Sequence, residues 1–230
     1  MNKKFNFPMK KTERILGCVY IPVHGFILPL LISSLIGLFA PKTGTPSQIL
    51  IYYTVSFILT LIMMFSFLKT SFSDFIDGFW PAIQAIILGY VLYRALSWLA
   101  VLLLTKIMTS ENPNTDAINE AVKLNMNMIV IVTAVLAPIV EESIFRGALF
   151  GTIRQKSRIA AYIVTVLVFA FYHIWQYLLT GFSINSLLLG IQYIPASVAL
   201  IWCYERGGTI WAPILLHSAI NLLATVLRLG

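Results

Sequence analysis

Apolar residues run through this chain in long blocks, without the alternation that marks a half-buried strand or the narrow stripe of a soluble helix. Crossing a bilayer takes about 20 predominantly apolar residues. Seven blocks meet or approach that length: Ile15–Ala40, Gln48–Leu68, Trp80–Thr105, Met128–Phe150, Ile159–Leu179, Leu187–Tyr204 and Ile210–Leu227. The pattern predicts an all-α integral membrane protein, a polytopic bundle of about seven transmembrane helices. The range is six to eight, because the division at Gly181–Ser186 is the weakest. The longest polar connection, Lys106–Asn127, holds Glu111, Asn112, Pro113, Asn114, Asp116 and Glu120; it reads as a loop with a short surface helix around Asp116–Leu124. No repeat or separate soluble unit interrupts the pattern, so residues 1–230 are expected to form a single transmembrane domain.

Composition sharpens this picture. Hydrophobic residues make up 59% of the chain and charged residues 11%, against about 25% charged in soluble domains. A net charge of +7 raises the question of nucleic acid, but its placement argues against such a partner. With seven spans and a cytosolic N-terminus, the inside segments hold Lys3, Lys4, Lys10, Lys11, Arg14, Lys69, Arg154, Lys156, Arg158 and Arg206. The outside segments hold Lys42, Lys106, Lys123 and Arg228. That asymmetry is a topology signal and puts the N-terminus in the cytosol. The basic start and first apolar run are longer than a signal peptide's apolar core, so they read as an uncleaved span. Cys18 and Cys203 lie in apolar segments and imply small buried thiols, not a disulfide or a metal site.

The exception to apolarity is Ala137–Gly147, which sets Glu141, Glu142 and Arg146 inside a spanning block. Each charge at a helix centre costs roughly 2.5–3.5 kcal/mol on insertion scales, so such groups face a protein interior or a wet cavity. Glu142 and Arg146 are four apart and can pair. Glu141 is turned about 100° away and has Phe145 four residues on, leaving it the unpaired carboxylate and the candidate for chemistry. Two later blocks add His173, in Phe169-Ala170-Phe171-Tyr172-His173, and the pair His217 and Asn221, four apart on one face. Rise per residue places Glu141, His173 and His217 about 14, 21 and 11 Å from the cytosolic ends of their helices, depths at which they can converge. Pro138 and Pro213 are expected to open the helices just ahead of these residues. His24 lacks comparable company and reads as a packing or pore residue of the first span.

Three chemistries fit the constellation. Glu141 and His173 activate a water while His217 and Asn221 stabilise an oxyanion; or His173, His217 and Glu141 hold zinc; or the groups relay protons in a transporter. The bland alternative is a Glu–Arg pair and bridging histidines that only fix helix packing. A serine mechanism has no motif behind it.

Glu141-Glu142-x-x-x-Arg146, Phe169-x-x-x-His173 and His217-x-x-x-Asn221, in that order and in separate apolar helices, resemble the CAAX-protease and bacteriocin-processing (CPBP, or Abi) family of intramembrane glutamic endopeptidases. The resemblance covers residues 128–222 as a catalytic core. It implies hydrolysis of a membrane-associated peptide or protein with Glu141 and His173 on the water, His217 and Asn221 on the oxyanion, and Glu142, Arg146 and Phe169 in support. It implies no cofactor, with zinc at Glu141, His173 and His217 as the minority reading. The lipid bilayer of a bacterial plasma membrane is its implied setting, and a non-catalytic regulator or bacteriocin self-immunity protein is the alternative role. Oligomeric state is not legible.

Overall fold

The computed structural model describes residue 5 and residues 7–104, 113–180 and 184–226. Of the expectations above, Lys3, Lys4, Lys106, Glu111, Asn112, Arg228, the block ends Thr105 and Leu227, and Gly181 to Ser183 of the weak division lie outside the described residues. No strand occurs among the described residues. Among the described residues, six helices are long and apolar enough to cross a membrane: α1 Lys11–Phe39, α2 Thr45–Asp77, α3 Phe79–Leu104, α4 Thr115–Arg154, α5 Arg158–Leu179 and α6 Ile184–Gly207. A seventh, α7 Trp211–Val226, is shorter and apolar. The protein is an integral membrane helical bundle.

The short helix expected around Asp116–Leu124 within Lys106–Asn127 is present; the correction is its extent, for the helix begins at Pro113, a residue suited to a first turn, with Asp116 complementing the helix dipole, and runs on to Ile131. Asn125 then breaks the run with extended dihedrals (φ −160°, ψ 90°), and its Oδ1 accepts the Met128 N–H at 3.1 Å. Asn125 is thereby the N-cap of the membrane-embedded part of α4, which starts close to the expected Met128.

Pro213 also behaves differently from expectation. It lies in the first turn of α7, where an N–H has no partner to lose, so it starts the helix without opening it. Pro138 sits between two wide-turn stretches of α4, Val132–Leu136 and Ser143–Phe150, in which the hydrogen bonds reach back five residues. A third such stretch, Val23–Ile27, follows Pro22 in α1. Wide turns of this kind frequently mark functional positions in a helix.

Close packing joins α1 to α4. A Cβ on Gly17 would lie 2.3 Å from Met64 Cε and 2.5 Å from the Ala148 methyl, so glycine is what lets the helices approach. Helix α2 bends at Met64 (φ −127°, ψ 22°), which deprives Phe67 of its helical acceptor. The buried carboxylate of Glu13 accepts the Phe67 N–H at 2.9 Å and the Lys10 N–H at 3.0 Å, capping the second half of α2 from α1. Helix α6 packs along α3 and α7, closing the bundle on the other side.

At one end of the bundle, Arg154 and Arg158 converge on Glu205 at 2.6 and 2.8 Å, and Tyr162 donates to the same carboxylate at 2.8 Å. Phe5 packs edge-on to Phe150 and Tyr204 under the Arg154 guanidinium. The N-terminal segment, the α4–α5 turn and the end of α6 thus share one end of the molecule.

Candidate active site

Glu142 and Arg146 form the expected pair. Arg146 Nη1 donates to Glu142 Oε1 at 2.9 Å with both side chains fully buried. Removal of either partner would leave a charge in a medium that cannot solvate it. The guanidinium is further held by Ser197, whose Oγ lies 3.1 Å from Nη2, and it covers the Phe169 ring with Cζ 4.2 Å from the centroid. Phe169 in turn stacks edge-on against Phe145. Five residues from three helices therefore make a closed packing unit in which the charges are paired and the aromatic faces covered.

Against this unit sits His217. Its Nδ1 is 2.8 Å from Glu142 Oε1, the oxygen that also takes Arg146. A carboxylate paired with a guanidinium only accepts, so Nδ1 carries the proton and Nε2 is the ring's free position. Asn221, one turn further along α7, donates Nδ2–H to the Thr133 carbonyl at 2.8 Å in a wide-turn stretch of α4. One amide hydrogen is committed there and the second remains.

Glu141 meets a different set of groups. Its Oε1 accepts the Tyr53 hydroxyl at 3.1 Å, and its Oε2 faces His173 Nε2 at 3.9 Å. The latter separation is too long for a direct hydrogen bond. His173 Nδ1 is 2.9 Å from the Phe169 carbonyl, which can only accept; the proton therefore sits on Nδ1, and Nε2 presents its lone pair towards Glu141. The His173 ring is clamped by Tyr193, stacked at 4.3 Å and 27°, and by Phe169 at 4.5 Å. Its side chain keeps 15% exposure against 5% for Glu141, so His173 is the open side of the pair.

Six of the seven residues singled out in the sequence are thus drawn together: Glu142, Arg146, Phe169 and His217 in one linked cluster, with His173 tied to it through the Phe169 carbonyl and Glu141 facing His173. Asn221 joins from α7 through the backbone of α4. Among the described residues no three His, Cys, Asp or Glu side chains are placed to hold a metal ion, while His173 and His217 each give Nδ1 to a protein acceptor and keep Nε2.

Sequence reasoning missed Tyr53, Tyr172, Tyr193 and Ser197; His24 is a packing residue of the first span as expected, but it has the polar company that the sequence did not reveal. That histidine is fully buried, stacked against Tyr52 and Tyr172 at 5.2 and 5.5 Å, with Ser56 Oγ 3.2 Å from Nδ1 and the Tyr172 hydroxyl 3.0 Å from Nε2. The available signal was the adjacent Tyr52-Tyr53 in α2, overlooked because an audit of charged residues treats tyrosines as apolar.

With that geometry in view, residues 123–223 match the family model described as type II CAAX prenyl endopeptidase Rce1-like. The chain is also 28% identical over 120 residues to "Putative membrane peptidase YdiL" of Bacillus subtilis, covering 52% of this chain and 44% of the relative. It is 37% identical over 93 residues to UPF0177 protein YbdJ of Lactococcus lactis (40% of this chain, 36% of the relative) and 34% over 99 residues to UPF0177 protein YaiF of the same organism (42% and 38%). The chain spans less than half the length of these curated relatives. No solved structure matches it. The Rce1-like match includes Glu141, Glu142, Arg146, Phe169, His173, His217 and Asn221, and leaves Tyr53 and His24 outside.

Proposed function

We propose that the protein is an intramembrane endopeptidase that hydrolyses a peptide bond of a membrane-associated peptide or protein. The observation that carries this reading is the approach of Glu141 Oε2 to His173 Nε2 at 3.9 Å, two acceptors facing one another with His173 locked in the Nδ1–H tautomer. A water between them donates one hydrogen to each and has its oxygen lone pair free for attack. The oxygen bonds to the scissile carbonyl carbon, its proton passes to the Glu141–His173 pair, and the carbonyl π electrons move onto oxygen. His217 Nε2 and the uncommitted Asn221 amide hydrogen are the oxyanion donors. With Nδ1–H given to Glu142, donation from Nε2 requires His217 to take up a second proton, beside the Glu142 carboxylate. Collapse expels the amine, which takes the proton held by the pair. Glu142, Arg146 and Phe169 position His217 and His173 without touching the reacting atoms. Residues 128–222 form the core, and the whole chain works as one domain in which α1 and α2 complete it.

No cofactor enters this scheme, and metal content of the purified protein with activity measured in chelator tests that point. The basic residues gathered at the Arg154–Arg158 end, together with Lys10, Lys11 and Arg14 of the N-terminal segment, support a cytosolic N-terminus in a bacterial plasma membrane.

Comparative peptidomics of cells carrying wild-type or Glu141→Gln protein is the decisive experiment. Products present only with the wild type are expected, and they name the substrate. An active purified Glu141→Gln protein would sink the reading, and a Glu141→Gln strain with full biological function would favour a non-catalytic regulator or bacteriocin self-immunity role.

A further inference from the structure

We propose that Tyr53 is a positioning residue of the glutamate centre, supplied by a helix outside the Rce1-like match; the role rests on the hydrolytic reading of Glu141. The Tyr53 hydroxyl donates to Oε1 at 3.1 Å, while Oε2 is the oxygen turned to His173. A carboxylate held at one oxygen cannot spin about its terminal torsion, which is otherwise soft. The second oxygen therefore stays on the histidine side, at a separation one water can bridge. A neutral phenol does this without cancelling the charge, whereas a guanidinium in its place would pair with Glu141 as Arg146 pairs with Glu142.

Tyr53 is itself fixed. Its ring lies edge-on to Tyr52 at 4.8 Å and to His24 at 6.1 Å, and its hydroxyl neighbours that of Tyr172. His24 stacks nearly parallel to both the Tyr52 and Tyr172 rings. Tyr52 donates to the His24 carbonyl at 2.8 Å, and the Tyr172 hydroxyl reaches the ring at 3.0 Å. Tyr172 immediately precedes His173, so the same aromatic block that aims Tyr53 also seats the helix turn bearing the histidine of the pair. A histidine with no solvent exposure inside a spanning helix is costly unless it serves others; here it ties α1, α2 and α5 together around Glu141.

Tyr53→Phe removes one oxygen and keeps the ring. Tyr162→Phe is the control, since it also strips a hydroxyl from a glutamate, but from Glu205 at the end of the bundle. Each protein is reconstituted in nanodiscs and assayed with an internally quenched farnesylated CAAX-type peptide. The expected result for Tyr53→Phe is a fall in kcat of tenfold or more with KM within twofold, and for Tyr162→Phe no change in either. In parallel, infrared difference spectra identify the carboxylate band that disappears in Glu141→Gln. That band should shift in Tyr53→Phe and hold still in Tyr162→Phe. An unshifted band, or unchanged kcat in an active enzyme, overturns the proposal. Absence of cleavage by the wild type counts against a farnesylated CAAX-type substrate and leaves the hydrolytic reading to the peptidomics comparison, while the infrared arm still decides whether Tyr53 holds the carboxylate.

Discussion

Arg146 shows how much one buried residue can hold in place. It pairs with Glu142, bonds Ser197 and covers Phe169, and Glu142 is the partner of His217. Arg146→Met should therefore do more than lose a pair: it leaves the buried Glu142 carboxylate with only the His217 ring as partner, at a cost of about 3–5 kcal/mol. Thermal unfolding in detergent checks this, and Ser197→Ala should fall by about 1 kcal/mol in the same assay because only a single hydrogen bond is lost. The Glu142–Arg146 pair was legible from four-residue spacing in one helix. The Tyr53–Glu141 bond was not, because its partners are 88 residues apart and only the packing of α2 against α4 brings them together.

At the scale of elements, apolar block length sufficed to find all seven helices, since the bilayer imposes one strong requirement on every span. It could not show where a helix changes its hydrogen-bond pattern. The wide turns at Val132–Leu136 and Ser143–Phe150 bracket Glu141 and Glu142, yet nothing in residue type distinguishes them from ordinary helix. Prolines mislead for a related reason: Pro138 and Pro213 look alike in sequence, but only one lies deep in its helix. Pro213→Ala should accordingly change melting temperature little, whereas Asn125→Ala, which removes a side-chain cap, should cost about 1 kcal/mol. Chemical or thermal denaturation of the two variants side by side tests the contrast.

Across the whole molecule, the site draws on α1, α2, α4, α5, α6 and α7, although the Rce1-like match begins at residue 123. A protein truncated to the matched residues is expected to lack activity even if it inserts, because Tyr53 and the His24 block are absent; co-expression of the first two helices as a separate chain tests whether they restore it. The bend in α2 adds a mechanical aspect. Glu13 grips the Phe67 amide, about 21 Å along the helix from Tyr53 at 1.5 Å per residue. Glu13 thus acts as a clasp for a lever whose other arm carries the phenol at the site. Trimming the amino end past that carboxylate would slacken the lever, and a lesion in the most peripheral stretch of the described chain would surface as poor alignment of a hydrogen bond deep in the lipid layer.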